Sequence, residues 1–215
     1  MPYRYEKGKV SRKADQIHEM LLCRRCEDRF RGPEGYVKRW AYTPSEPSPL
    51  LKLPKVTTIS ETTFAVSGEQ LDTEKFAIFA ASIVWRTTVA KHTGVRIELG
   101  PYQEVLRKFL VGETSFPDNA LLMVSVIFDE EQAPHGLVGL PQRFRDLDTG
   151  MVGHMFTIAG LVFYLWLGKE AGRERHLCFT RQSLKDRFVL VMPAGQIGLF
   201  RGVRDLLKGS PRPKS

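Results

Sequence analysis

Thr149-Gly150-Met151-Val152-Gly153-His154-Met155-Phe156-Thr157-Ile158-Ala159-Gly160-Leu161-Val162-Phe163-Tyr164-Leu165-Trp166-Leu167-Gly168 is the stretch on which the fold turns. Its twenty residues include no Lys, Arg, Asp or Glu. That is long enough for a helix to span a bilayer. Its composition argues for strands instead. It contains His154 and four glycines, and Val152, Phe156, Thr157, Ile158, Val162, Phe163, Tyr164 and Trp166 are β-branched or aromatic. Such side chains suit a buried pleated surface, and Ala159-Gly160 supplies a turn. The expectation is a buried hairpin over 151–167, with no membrane association.

Working outward, Leu121–Phe128 and Phe188–Met192 are apolar runs of strand length, the second stopped by Pro193. Arg175–Thr180 reads as a further strand, and Val56–Val66 as a Thr-rich strand or hairpin. Pro134–Asp148, with Pro134-His135-Gly136 and Gly139-Leu140-Pro141, reads as a loop. Asp72 is an N-cap candidate for a helix from Thr73 to His92 that ends at Gly94. In Phe76–Trp85 only Ser82 is polar, so this helix belongs at the centre of the protein. Tyr102–Val111 is amphipathic, with Val105, Leu106, Phe109 and Leu110 inward. Gln196–Leu207 is a last helix with Ile197, Phe200, Val203, Leu206 and Leu207 on one side. Strands that cluster rather than alternate with helices give an α+β fold, a mostly antiparallel sheet packed on a buried central helix.

At the front, residues 1–20 read as irregular, and Glu27–Trp40 as a helix interrupted by Gly32-Pro33 and Gly35. Thr43-Pro44-Ser45-Glu46-Pro47-Ser48-Pro49 cannot continue a helix. The expected organisation is a basic N-terminal segment 1–43, a Pro-rich linker 44–54, a body 55–209 and a tail 210–215.

The chain has 215 residues, 42% hydrophobic and 26% charged, which excludes wholesale disorder. Three cysteines exclude a disulfide framework and fit a reduced, cytoplasmic protein, and no signal peptide is expected at the front. The net charge of +8 is unevenly spread. Residues 1–40 carry eleven Lys/Arg and six Asp/Glu, net +5, and residues 201–215 carry five and one, net +4. Subtracting both from +8 leaves −1 for residues 41–200. Basic ends of this kind suit nucleic acid or an acidic protein partner. The cations are Arg4, Lys7, Lys9, Arg12, Lys13, Arg24 and Arg25 at the front, and Arg201, Arg204 and Lys208 at the rear. Tyr3 and Tyr5 interleave rings with the first of these cations, a mixture that suits stacking on bases.

Cys23-Arg24-Arg25-Cys26 is the sharpest local motif. Two thiolates at this spacing grip one zinc ion, but a structural zinc site needs four ligands. His18 lies five residues upstream, and His176 and Cys178 would share one face of a strand. These three are the candidate partners.

The stretch Glu19-Met20-Leu21-Leu22-Cys23-Arg24-Arg25-Cys26-Glu27-Asp28-Arg29-Phe30, continued by Glu34-Gly35-Tyr36-Val37, resembles the second half of a bacterial HNH-like, treble-clef zinc finger. Ser82-Ile83-Val84-Trp85-Arg86 and Leu99-Gly100-Pro101-Tyr102 are similar to later segments of that family. The resemblance implies zinc at Cys23 and Cys26 in a small degenerate treble-clef-like segment. The first Cys-x-x-Cys and the Ser-His-x-x-Pro segment of the family are absent here, so nuclease activity does not carry over. The expectation is a non-catalytic protein that binds nucleic acid or a protein partner through its basic ends. The alternatives are a metal-dependent nuclease or hydrolase using Asp129, Glu130, Glu131 and His135, or Asp146, Asp148 and His154, and an assembly subunit with no nucleic-acid role.

Overall fold

The computed structural model describes residues 3–6, 9–12, 23–90, 97–128, 137–145, 151–173, 178–180 and 187–193. In chain order the strands are β1 (Tyr3–Glu6), β2 (Lys9–Arg12), β3 (Lys55–Thr58), β4 (Phe64–Ser67), β5 (Ala120–Phe128), β6 (Leu137–Arg145), β7 (Val152–Ile158), β8 (Leu161–Leu167) and β9 (Phe188–Pro193). The helices are α1 (Arg24–Lys38), α2 (Thr73–Val89), α3 (Tyr102–Val111) and the short α4 (Lys169–Arg173).

The uncharged stretch 149–168 forms β7 and β8, which pair antiparallel from Gly153↔Trp166 to Ile158↔Leu161. Ala159 and Gly160 join them with φ of 44° and 81°. Two left-handed residues give the twist that a two-residue hairpin needs. No described helix is long and apolar enough to cross a membrane.

One nine-stranded sheet has the order β2-β1-β6-β7-β8-β5-β9-β4-β3. Six of its eight pairings are antiparallel, while β1–β6 and β5–β9 are parallel. The fold is therefore α+β with a mostly antiparallel sheet, as expected. The helix α2 supplies its central packing. Phe76 and Phe79 meet Phe163 at ring-centroid distances of 6.2 and 5.3 Å, and Phe163 stacks on Phe156 at 4.8 Å. Asp72 caps α2 by accepting from the Lys75 N–H at 3.1 Å. The helix stops at Val89, short of the expected His92, and Ala90 has an extended ψ of 133°. Its last turn is β-branched. There Thr87 and Thr88 hydroxyls donate to the carbonyls of Ile83 and Trp85, a competition that weakens a helix end.

Three other expectations need correction. The first concerns α1, which runs unbroken through Gly32, Pro33 and Gly35. Phe30, Pro33 and Val37 are buried at helical spacing, Glu34 pairs with Arg86 of α2, and Arg86 lies over the Phe30 ring. Packing on α2 offsets the roughly 3 kcal/mol cost of an interior proline. The second concerns 134–148, which contains the nine-residue strand β6. Its register shifts between Gly139 and Gln142, so Leu140-Pro141 sit in a bulge, where a strand tolerates proline. The third concerns the front, where β1 and β2 are strands rather than irregular chain.

Residues 44–54 run along the body. Ser48 donates to the Trp40 carbonyl at 2.6 Å and accepts from the Leu50 N–H at 3.2 Å, starting a 3₁₀ turn over Pro49–Lys52. Tyr42 donates its hydroxyl to the Ile127 carbonyl at 2.6 Å and its N–H to the Ala159 carbonyl at 3.0 Å. Phe30, Val37, Tyr42 and Leu50 belong to the same buried cluster as the sheet, so one core extends across the Pro-rich stretch. Cys178, expected in a strand, precedes a turn at Phe179-Thr180. The Phe179 N–H donates to the Leu122 carbonyl, so β5 holds this segment by its backbone. The expected helix 196–207 and the tail lie outside the described residues.

Candidate nucleic-acid interface

The basic front is built into the sheet. β1 and β2 pair antiparallel, Tyr3↔Arg12 to Glu6↔Lys9. β1 then pairs in parallel with β6, Tyr3↔Leu137, Arg4↔Val138 and Tyr5↔Gly139. This pairing places β1 beside a strand more than 130 residues away. β6 ends in Arg143-Phe144-Arg145, and both arginines are exposed. The three strands together hold Arg4, Lys9, Arg12, Arg143 and Arg145 against Glu6, five cations and one acid, net +4. Arg143 makes no ion pair among the described residues. Charges concentrated this way at one sheet edge create a positive potential that reaches about a Debye length, roughly 8 Å at physiological salt.

Sequence reading singled out Arg4, Lys9 and Arg12, and the structure brings these three strand positions together. It missed Arg143 and Arg145, because Gly139 and Pro141 disguised β6 as a loop. Lys7, Lys13, Arg201, Arg204 and Lys208 lie outside the described residues. Arg24 is exposed at the first turn of α1, and Arg25 follows it in the helix.

The candidate zinc ligands are less convergent. Cys23 is the exposed N-cap of α1, with φ −70° and ψ 159°, and its carbonyl accepts from the Glu27 N–H. Cys26 lies in the first helical turn. Cys178, by contrast, is buried in the core. Its Sγ accepts from the Leu122 N–H at 3.4 Å and lies 3.1 Å from Thr180 Oγ1. His18 and His176 lie outside the described residues. Among the described residues no group of three or more His, Cys, Asp or Glu is placed to hold a metal ion.

Of the hydrolase candidates, Asp129, Glu130, Glu131, His135, Asp146 and Asp148 lie outside the described residues. His154 is described, and it is buried in β7 between Arg143 of β6 and Leu165 of β8. Neither ring nitrogen has a hydrogen-bond partner among the described residues. Burial, with a smaller push from Arg143, lowers its pKa to about 4. The imidazole is therefore neutral at pH 7 and turned into the protein. Comparison with known proteins finds no matching family model, no matching curated protein and no matching solved structure.

Proposed function

We propose that this chain is a non-catalytic nucleic-acid-binding protein that meets the phosphate backbone with its β2–β1–β6 edge. The observation that carries the proposal is the parallel β1–β6 pairing, which puts cations from the two separated segments on three adjoining strands of net +4. Lys and Arg that neutralise phosphates release counterions, and that release drives sequence-independent binding.

The Cys23–Cys26 pair fits half of a zinc site within this proposal. Cys23 at the N-cap and Cys26 in the first turn of α1 are three residues apart, the spacing of a zinc knuckle. Bound zinc would hold the start of α1 in place, and the remaining ligands are not supplied by the described residues.

The test is fluorescence anisotropy of a labelled DNA or RNA oligonucleotide titrated with the full chain at low salt. Saturable binding that weakens in Arg143→Ala/Arg145→Ala supports the proposal. No binding at low salt, or equal binding by the variant, refutes the edge as the interface. Elemental analysis of the purified protein tests the zinc half-site separately, and a chain free of zinc would remove it.

A further inference from the structure

We propose that the C-terminal stretch Gln196–Leu207 docks as an amphipathic helix across the sheet face opposite α2, and turns Arg201, Arg204 and Lys208 outward on the way to the basic edge. Burial reveals the face. Leu161, Phe163 and Leu165 of β8 belong to the cluster shared with α1, α2 and α3, whereas Val162 between them does not. The same alternation leaves Ala65 of β4 and Ile127 of β5 outside that cluster. Yet Ala65, Ile127 and Val162 are all buried, at 2% exposure or less. Successive strand residues point to opposite faces, so a layer other than the described helices covers these three.

The burial runs across the strands. Thr157, Val162, Ser125, Leu190 and Ala65 stand side by side on β7, β8, β5, β9 and β4. Thr157, Val162 and Ser125 are buried, while Met155, Tyr164 and Met123 in the next row on the same face are only half-buried. A row over five strands is about 19 Å long. Ser125 Oγ and Thr157 Oγ1 have no hydrogen-bond partner among the described residues. Unpaired hydroxyls under a tight cover point to an apolar one.

Chain path and composition select the occupant. β9 ends at Pro193, level with Phe128 of β5, and only Ala194-Gly195 separate it from Gln196. At helical spacing Leu199, Phe200, Val203, Leu206 and Leu207 form one apolar stripe, with Arg201, Arg204 and Lys208 on another side. Twelve helical residues are roughly 18 Å long, the length of the row. One helical turn of about 5.4 Å nearly matches the strand spacing of about 4.8 Å. Starting over β9, the stripe therefore sets Leu199 over Ser125, Val203 over Val162 and Leu206 over Thr157. This direction leads towards β6 and the basic edge. The connection 129–136 leaves β5 at the same end, but Asp129, Glu130 and Glu131 would bury charge on this row, and their carboxylates would accept from the two hydroxyls. Residues 13–22 lead into α1, which packs on α2 at the other face.

Disulfide cross-linking in the full chain, with Cys23→Ser and Cys26→Ser as background, tests the docking. Ser125→Cys paired with Leu199→Cys, and Thr157→Cys paired with Leu206→Cys, should each close an intramolecular disulfide under mild oxidation. The mismatched pair, Ser125→Cys with Leu206→Cys, should close at least about tenfold more slowly, since the two positions lie about 10 Å apart along the row. Ser125→Cys and Thr157→Cys nearly preserve side-chain volume, so the fold is retained. Absence of both matched links, or a mismatched link that forms as fast, overturns the proposal. The role of the cations rests on the reading that the β2–β1–β6 edge meets phosphates. Arg201→Ala/Arg204→Ala should make the salt dependence of oligonucleotide affinity shallower by about 2, and an unchanged slope overturns that role. A wild type that retains no nucleic acid overturns the edge reading and this role together, while the cross-links still decide the docking.

Discussion

His154 offers a prediction whose size follows from its surroundings. It is 5% exposed, beside Arg143, with no hydrogen-bond partner for either nitrogen among the described residues. Burial first, and Arg143 second, lower its pKa from 6.5 to about 4. The unfolded chain therefore takes up this proton before the folded chain does. Stability is unaffected by the group above pH 6.5, falls as pH drops towards 4, and levels off below it. The full loss is about 3 kcal/mol, of which about 2 kcal/mol has appeared by pH 5. The perturbation is His154→Gln, which cannot titrate. Urea unfolding of both proteins at pH 7 and pH 5 isolates the effect, because every other titrating group is shared. The wild type should lose about 2 kcal/mol more than the variant between the two pH values. Equal losses would show that His154 is not buried as a neutral group.

Three further substitutions probe the fold that positions the basic edge. Ala159→Gly should stabilise by about 0.5–1 kcal/mol in thermal or urea unfolding, because φ of 44° is strained for alanine; a loss would contradict the left-handed turn. Tyr42→Phe should cost about 1–2 kcal/mol, since it leaves the Ile127 carbonyl without its 2.6 Å donor, and an unchanged unfolding midpoint would show that Tyr42 does not latch the sheet end. Gly35→Ala should add up to about 1 kcal/mol, because the position is helical and a Cβ there meets nothing within 4 Å; destabilisation would mean that α1 is not continuous at Gly35.

The sequence made the centre of the fold legible and left its margins obscure, for physical reasons. The hairpin β7–β8 was readable because burial on both faces selects β-branched and aromatic residues over seven positions each, with a turn between. Asp72 and the apolar run after it marked the start of α2, because capping and burial are both local signals. Pro33 misled, because the packing of Phe30 and Val37 on α2 is a tertiary effect that overrides local propensity. β6 was hidden by its own bulge at Leu140-Pro141. The basic edge was half legible. Arg4, Lys9 and Arg12 stand out as charges near the N-terminus, but nothing local announces that β1 will pair in parallel with Leu137–Gly139 of β6, the strand that goes on to carry Arg143 and Arg145. Cys178 was read as a ligand for its chemistry, whereas its neighbours Leu177 and Phe179 already suggested an apolar setting.

The central claim is that the β2–β1–β6 edge meets phosphates. The dependence of oligonucleotide affinity on salt tests it most directly, comparing wild type with Arg143→Ala/Arg145→Ala. The account predicts a steep fall of log K with log salt in the wild type, and a slope shallower by about 2 in the variant, roughly 0.9 for each phosphate that an arginine no longer neutralises. An unchanged slope, or no retention of nucleic acid at any salt concentration, would contradict it.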